Sequence, residues 1–404
     1  MSRLPVVEAE RYSELLHAKA EALASCFTPF DPPEMEIFPS PPMHYRMRAE
    51  FRVWHEGDDL YYVMFDTDDE ALAAQQAAQV EAEASAASAE GSQVQSAQGK
   101  KKKKRNKTRK PVKTVRMDDY PVASERINAL MPALLDAIRD VPPLRHKLFQ
   151  VEFLTTLTGE ALISLIYHRP LDEQWETLAR QLQVDLGVSI IGRSRKQRLV
   201  LDREFVFERL TVDGQTLTYK QVENSFTQPN ARICESMLSW AREVTQGIGG
   251  DLVELYCGAG NFTVALAPNF RRVLGTEISR TSVAAGRFNV EINRAHNAQV
   301  ERLSAEEFSQ ALANPQSPYG QRLGLADYTF STVLVDPPRA GLDPDTLKQV
   351  AEYDHIVYIS CNPQTLVENL ATLTQTHRLE RLAFFDQFPY TDHAEAGVLL
   401  VRRA

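Results

Sequence analysis

The sequence predicts an α/β protein: a doubly wound, mainly parallel sheet in the C-terminal half, preceded by an α+β domain. Three observations carry this. From Asn230 onward, short apolar runs alternate with amphipathic ones, strand then helix, the pattern of βαβ crossovers. Before Asn230, runs with two-residue alternation are separated by turn residues and mixed irregularly with helical stretches. Between Ala71 and Gln98 the composition changes to Ala, Gln, Ser and Glu, and then to lysine. The 404 residues are 43% hydrophobic and 25% charged, enough apolar material for more than one core. The expected division is an α+β domain over 1–69 and 113–213, a disordered insertion over 70–112, and the α/β domain over 214–404.

Residues 7–27 read as an amphipathic helix, with Leu15, Leu16, Ala20, Leu23 and Phe27 at helical spacing. HYRMRAEFRVW then alternates: Tyr45, Met47, Ala49, Phe51 and Val53 share one face, and His44, Arg46, Arg48, Glu50 and Arg52 the other. That basic front is either a solvated sheet face or a phosphate-contacting row containing Arg46, Arg48 and Arg52. GDD and LYYVMFD complete a hairpin. The insertion lacks the large apolar residues that bury a face. A helix starts at Ser124 as cap, with Ile127, Leu130, Leu134 and Ile138 inward. LFQVEFLTTLT and ALISLIYHR are strands, LDEQWETLARQLQ a helix, VSIIGRSR a strand and ERLTVDGQTLTYKQVENSF a hairpin. In the C-terminal half, helix ARICESMLSWAREVTQ leads into strands DLVELY, RRVLGTE, STVLVD and HIVYIS, each followed by a helix, and the chain finishes in strands RLERLAFFDQF and AGVLLVRR.

Composition excludes several classes. No apolar run reaches transmembrane length, and the first residues lack the apolar core of a secretory leader, so a cytoplasmic protein with no membrane partner is expected. The four cysteines, Cys26, Cys234, Cys257 and Cys361, form no C-x-x-C pair, so neither a metal nor an iron–sulfur cluster is expected. Cys26 and Cys234 read as buried and inert. The net charge of −9 hides an asymmetry: Lys100–Arg116 holds eleven basic residues and no acid, leaving −20 elsewhere. A polyanionic partner such as RNA, or a solubilising linker, would account for the run.

Three strand ends carry the chemistry. DLVELY runs into Cys257-Gly258-Ala259-Gly260, where small residues let a ligand approach the backbone. The next strand ends in Glu277, nineteen residues after Gly258, placed for ribose hydroxyls. Thr263 stands where a dinucleotide site would have its third glycine or alanine, so an adenosyl ligand such as S-adenosylmethionine fits better. STVLVD ends in Asp336-Pro337-Pro338-Arg339, a carboxylate facing the crevice on a stiff turn. HIVYIS ends in Ser360-Cys361-Asn362-Pro363: Asn362 caps a helix, Pro363 opens it, and the helix dipole beside Cys361 favours a thiolate. A nucleophilic thiolate beside a methyl donor suits C5 methylation of uracil, because thiolate addition at C6 makes C5 nucleophilic and a base then removes the C5 proton. Asp392, His393 and Glu395 are the candidates for that base.

QVENSFTQPN, ELYCGAGNF, VDPPRAGLD, YISCNPQTL and FDQFPYTDHAEAGVLL together resemble the tRNA uracil-5-methyltransferases that make 5-methyluridine in the T-loop. HYRMRAEFRVWHEGDDLYYVMFD and HKLFQVEFLTTL resemble that family's N-terminal part, and the likeness spans the chain except about 70–112. The resemblance implies a Rossmann-like S-adenosylmethionine-dependent methyltransferase domain with Cys361 as nucleophile and Glu395 as proton acceptor. It puts the cofactor on Gln228, Tyr256, Asn261, Glu277 and Asp336, and the uridine at position 54 of tRNA in the site. It implies local unfolding of the T-loop, base flipping, and an N-terminal domain that grips the tRNA elbow. Phe149 is the candidate for stacking on a loop base, Arg339 for steadying the uracil or a phosphate, and a monomer is expected. Two departures stand out: Asp392-His393 replaces a frequent His-His pair, and the lysine-rich insertion has no counterpart. The lack of an N-terminal cysteine cluster favours tRNA over ribosomal RNA; an RNA chaperone acting without catalysis is the reading from another class.

Overall fold

The computed structural model describes residues 4–66 and 113–404, so the 70–112 insertion lies outside the described residues. In chain order the strands are β1 (Glu36–Phe38), β2 (Arg48–Glu56), β3 (Asp59–Asp66), β4 (Lys113–Met117), β5 (Leu148–Thr155), β6 (Ala161–Tyr167), β7 (Ser189–Ser194), β8 (Gln197–Val200), β9 (Phe205–Val212), β10 (Gln215–Val222), β11 (Asp251–Leu255), β12 (Arg272–Glu277), β13 (Ala298–Arg302), β14 (Phe330–Val335), β15 (His355–Ser360), β16 (His377–Phe385) and β17 (Glu395–Arg402).

Eight strands form one sheet in the order β1-β16-β17-β15-β14-β11-β12-β13. From β15 to β13 the neighbours are parallel, and β17 runs antiparallel between β15 and β16. Every residue of β11 is buried, as a strand covered by helices on both faces requires. The order of connection reverses at β11, which has β12 on one side and β14 on the other. Chain leaves these strands in opposite directions, so a crevice opens beyond their C-terminal ends. Side-chain caps start the surrounding helices where their first N–H groups need partners: Asn230 for Ala231–Val244, Ser279 for Arg280–Ile292 and Asn362 for Pro363–Leu373.

The second sheet runs β4-β3-β2-β5-β6-β7-β8. The alternation read from the sequence sets its burial: Tyr45, Met47, Ala49, Phe51 and Val53 are all buried. Residues 44–47 lie just before β2, and His44 takes φ 57° there. The Ser124 hydroxyl accepts from the Ile127 N–H, and helix Glu125–Arg139 packs Ile127, Leu130, Leu134 and Ile138 into this domain's core.

Two parts of the expected domain division do not hold. The expected division groups helix Tyr12–Phe27 with 113–213, yet Leu16, Ala20, Leu23 and Phe27 are buried in one cluster with Val253 and Val335 of the large sheet and Leu370 of the helix Pro363–Leu373 that covers it. β1 extends that same sheet by pairing parallel with β16. Part-buried ties lock this packing: the Tyr12 hydroxyl donates to Asp386 Oδ2 at 2.9 Å, and Lys19 Nζ to Asp386 Oδ1 at 2.8 Å. Helical periodicity says that a face is buried, not what covers it. The boundary at 213/214 falls in the turn of a hairpin whose strands pair from Phe205↔Val222 to Val212↔Gln215. Leu210, Val212, Leu217 and Tyr219 then pack against helix Ala231–Val244, which ties the hairpin to the second domain. The stretch 294–329, given no element above, supplies edge strand β13 and helices Ala305–Ala313 and Pro318–Leu323.

Among the described residues no helix is long and apolar enough to cross a membrane, and no cluster of three metal-binding side chains occurs. Because Phe27 is fully buried against the large sheet, Phe27→Ala should cost about 3–5 kcal/mol. Hydrogen exchange should quicken in β15–β17 and stay unchanged in β5–β7; the reverse pattern would return this helix to the smaller domain.

Candidate active site

The turn after β11 is built for close approach. Tyr256, Gly258 and Gly260 take φ of 62°, 54° and 75°. A Cβ on Gly258 would meet nothing within 4 Å, so open space lies beside the backbone. Glu277, ending β12, accepts the Gly258 N–H at 3.1 Å and the Ser279 N–H at 2.8 Å, one on each oxygen. These bonds fix the carboxylate and leave lone pairs for a diol. Asn261 opens the following helix, and its amide donates to Cys234 Sγ at 3.7 Å. The glycine cradle and the fixed acid at the tip of the next strand fit an adenosyl ligand.

Across the crevice, Asp336 follows β14. Gln228 Nε2 donates to Asp336 Oδ2 at 3.4 Å, and Gln387 Nε2 donates to Gln228 Oε1 at 2.5 Å. Gln387 is only 1% exposed, and its other amide atom, Oε1, has no partner. The sequence reading missed Gln387; the signal was the polar pair Asp386-Gln387 inside an apolar strand end, which a buried role requires.

The decisive geometry comes from strand pairing. β15 and β17 are antiparallel with Ser360 opposite Ala396. The next residue of one strand, Cys361, therefore lies across from the preceding residue of the other, Glu395. Asn362 caps the following helix as expected, accepting the Gln364 N–H at 3.3 Å, and its amide holds the Arg339 carbonyl at 2.9 Å. Arg339, Cys361, Asn362, Asp392 and His393 line a cavity of about 260 Å³. Arg339 Nη2 donates to His393 Nδ1 at 2.6 Å, so in this arrangement that ring nitrogen is an acceptor.

The electrostatics reverse one expectation. The helix terminus was expected to favour a Cys361 thiolate, but burial, then the nearby Glu395 and Asp336 carboxyls, push the thiol up to about 11. Arg339 opposes the shift. A helix terminus contributes about 0.3–1 kcal/mol, and here desolvation and two acids outweigh it. Burial likewise lifts Asp336 to about 7. Glu395, only 4% exposed, is held well above its ordinary value by burial and then by Asp336. The free protein thus rests with Cys361 protonated at neutral pH, beside a Glu395 whose ionisation burial disfavours.

The other expected residues fall into two groups. Gln228, Tyr256, Asn261, Glu277, Asp336, Arg339, Cys361 and Glu395 all lie at or just beyond strand and hairpin ends around the crevice. Phe149 and the strand arginines belong to the smaller domain. Phe149 stacks on His168 at 3.9 Å and carries the Arg52 guanidinium 4.0 Å from its ring centre, so an incoming base must displace one of them. Arg46 donates to the Arg48 carbonyl at 2.8 Å and Arg48 to the Ser225 carbonyl at 2.8 Å, so these two do not stand as an open row. Cys234 is buried as expected, whereas Cys26 is exposed in the last turn of the first helix.

Over residues 11–104 and 98–403 the chain matches the family model described as tRNA (Uracil-5-)-methyltransferase. It is 58% identical over 405 residues to the tRNA/tmRNA (uracil-C(5))-methyltransferase of Chromohalobacter salexigens, covering 99% of this chain and 98% of that one. It is 50% identical over 404 residues to the protein of the same name from Shewanella amazonensis, covering 98% and 99%. Its fold is shared with the crystal structure of Pyrococcus abyssi tRNA (uracil-54, C5)-methyltransferase in complex with S-adenosyl-L-homocysteine, with a TM-score of 0.66 and 21% identity over 98% of this chain and 86% of that one.

With Cys26 replaced by Ser to remove the exposed thiol, iodoacetamide should label Cys361 slowly at neutral pH, and the rate should climb toward about pH 11. Arg339→Ala should move the profile higher still, since the guanidinium favours the thiolate. A plateau below about pH 8 would mean that the helix terminus wins after all.

Proposed function

We propose a specific reaction for this chain, which belongs to the tRNA (uracil-5-)-methyltransferase family: methylation of C5 of the T-loop uridine, position 54, of tRNA through a covalent Cys361–C6 adduct. The coarser activity, S-adenosylmethionine-dependent uracil-C5 methylation of tRNA, follows from the family. The observation that carries the finer reading is the β15–β17 register, which sets a thiol and a carboxyl side by side at the crevice. The enzyme acts as a cytoplasmic monomer on the T-arm.

S-adenosylmethionine, when bound, supplies an electrophilic methyl group. Glu277 would hold its ribose, Gly258 and Gly260 would give it room, and Gln228, Tyr256, Asn261 and Asp336 would complete its surroundings. Cys361 first loses its proton; Asp336, near half-ionised at neutral pH, is a suitable acceptor. The thiolate then adds to C6, and the electron pair passes through the ring to C5, which takes the methyl group. Glu395, as carboxylate, removes the C5 proton, and the electrons of that C–H bond restore the double bond and expel Cys361 Sγ. Arg339 faces the same cavity and offers donors to a uracil carbonyl or a phosphate.

Incubation with S-adenosylmethionine and an unmodified tRNA transcript should yield 5-methyluridine at the T-loop position, located by digestion and mass spectrometry. Cys361→Ala should abolish turnover with tRNA affinity within about threefold of the parent; methylation by this variant would end the covalent mechanism. Glu395→Gln should slow turnover about 10²–10⁴-fold and accumulate a protein–RNA band on a denaturing gel. A band absent with Glu395→Gln but present with His393→Ala would move the base to His393. Because Cys361 acts deprotonated from a resting value near 11 and Glu395 from a raised one, single-turnover rates should keep rising with pH through neutrality toward about pH 11.

A further inference from the structure

Beyond the catalytic crevice, the outward face of the seven-stranded sheet carries a second aromatic site. β2 alternates, so Arg48, Glu50, Arg52 and Trp54 point away from the domain core. Just before β2, the Arg46 guanidinium lies 5.8 Å from the Phe388 ring centre, and Phe388 packs edge-on against His393, which lines the active-site cavity. Arg48 reaches the Ser225 carbonyl, next to Phe226, whose side chain is 71% exposed. Arg52 covers Phe149. From Arg46 to Trp54 this track is about 26 Å long at strand rise, the length of several nucleotides of single strand.

At its far end the track opens into a shallow cleft of about 360 Å³ lined by Trp54, Glu56, Tyr61, Val63, Thr114 and Arg116. Trp54 is 42% exposed and lies directly across the β2–β3 pair from Tyr61. The Arg116 guanidinium sits 4.4 Å from the Tyr61 ring centre, held by ion pairs to Asp59 and Asp118. Those pairs are solvent-exposed and weak, so the planar cation stays available for stacking. Tyr61 donates its hydroxyl to Glu56 Oε2 at 3.1 Å, which fixes the carboxylate at the cleft. The basic run that begins at Lys100 ends at Arg116 in this same cleft.

We infer that this cleft binds an unstacked guanine of the same RNA whose uridine enters the Cys361 cavity. An aromatic ring beside an arginine plane is a stacking platform for any base. The carboxylate selects among them, because guanine presents two adjacent N–H donors, N1–H and N2–H, on its pairing edge, where adenine presents the N1 acceptor and uracil a single N–H between two carbonyls. The carbonyl bonds of Arg46 and Arg48 fix those side chains without neutralising them, so with Arg52 and Arg116 they keep positive charge along the track, beside Glu50 and Glu56, for a polyanion to meet. The inference rests on the proposed RNA substrate, but its readout is binding and needs no turnover.

Trp54 supplies its own signal, since Trp175 and Trp240 are 0% and 1% exposed. Full-length protein is titrated, without methyl donor, with the hexamers UUGUUU and UUUUUU and with an unmodified tRNA transcript, following tryptophan emission; filter binding measures tRNA affinity in parallel. The guanine hexamer should quench the emission and bind about tenfold more tightly than oligouridine, and Glu56→Gln should erase that difference. Trp54→Ala should weaken tRNA binding about 5- to 150-fold, the range for loss of one stacked base, and Trp54→Phe should restore most of it. tRNA that binds without quenching, equal affinity of Trp54→Ala and parent, or equal hexamers would each overturn the inference. Loss of T-loop methylation with quenching intact would instead fault the proposed reaction alone.

Discussion

One strand pairing governs the active site. β17 returns antiparallel between β15 and β16, and its register sets Ala396 against Ser360. The juxtaposition of Cys361 and Glu395 follows from that choice. The pairing brings Glu395 to Cys361 although 34 residues separate them in sequence. It puts both groups at the end of a buried sheet, where the chain leaves for the Asn362 cap on one strand and arrives from the Asp392-His393 turn on the other. A slip of one residue would turn Glu395 to the opposite face of the sheet. The loop that delivers β17 is pinned accordingly: Tyr390 donates to the Pro42 carbonyl at 2.9 Å, Tyr45 to the Pro389 carbonyl at 3.2 Å, and Lys19 to the Phe388 carbonyl at 3.1 Å.

Burial there has an electrostatic consequence. Three acidic groups share a poorly solvated space, and Arg339 is the cation that opposes the upward shifts of two of them. The site cannot ionise all three, so protons are retained until substrate changes the balance. A resting thiol of this kind is slow to oxidise or alkylate, whereas a permanently ionised one would be exposed to both. The short chain from Gln387 through Gln228 to Asp336 sets the direction of the Gln228 amide, because its carbonyl is taken by Gln387 and its NH₂ is left for the carboxylate.

Much of this was legible residue by residue, and the misses share a cause. Two-residue alternation over 45–53 foretold which side chains β2 buries, and Asn362-Pro363 foretold a helix start behind Cys361, because both are local rules. What covers the first helix, whether a hairpin joins the domain before or after it, and what surrounds Phe149 depend on residues distant in sequence. The Cys361 titration is the plainest case: the cap beside it is local and favours the thiolate, while Glu395, Asp336 and the burial that defeat the cap are tertiary. Likewise Asp392, His393 and Glu395 could not be ranked from spacing. In the fold, Glu395 takes the buried strand position and His393 the Arg339 contact at the cavity wall.

The joining of helix Tyr12–Phe27 to Asp386 also has a bearing on how the protein is made. The Tyr12–Asp386 bond spans 374 positions, about 20–75 s of ribosomal synthesis. The smaller sheet is complete by Val200 and can form while the rest is still emerging. The first helix cannot: the cluster that buries its apolar face draws on residues from Val253 to Leu400. For most of translation that face is therefore uncovered, and Cys361 meets Glu395 only as one of the final events, when β17 pairs with β15.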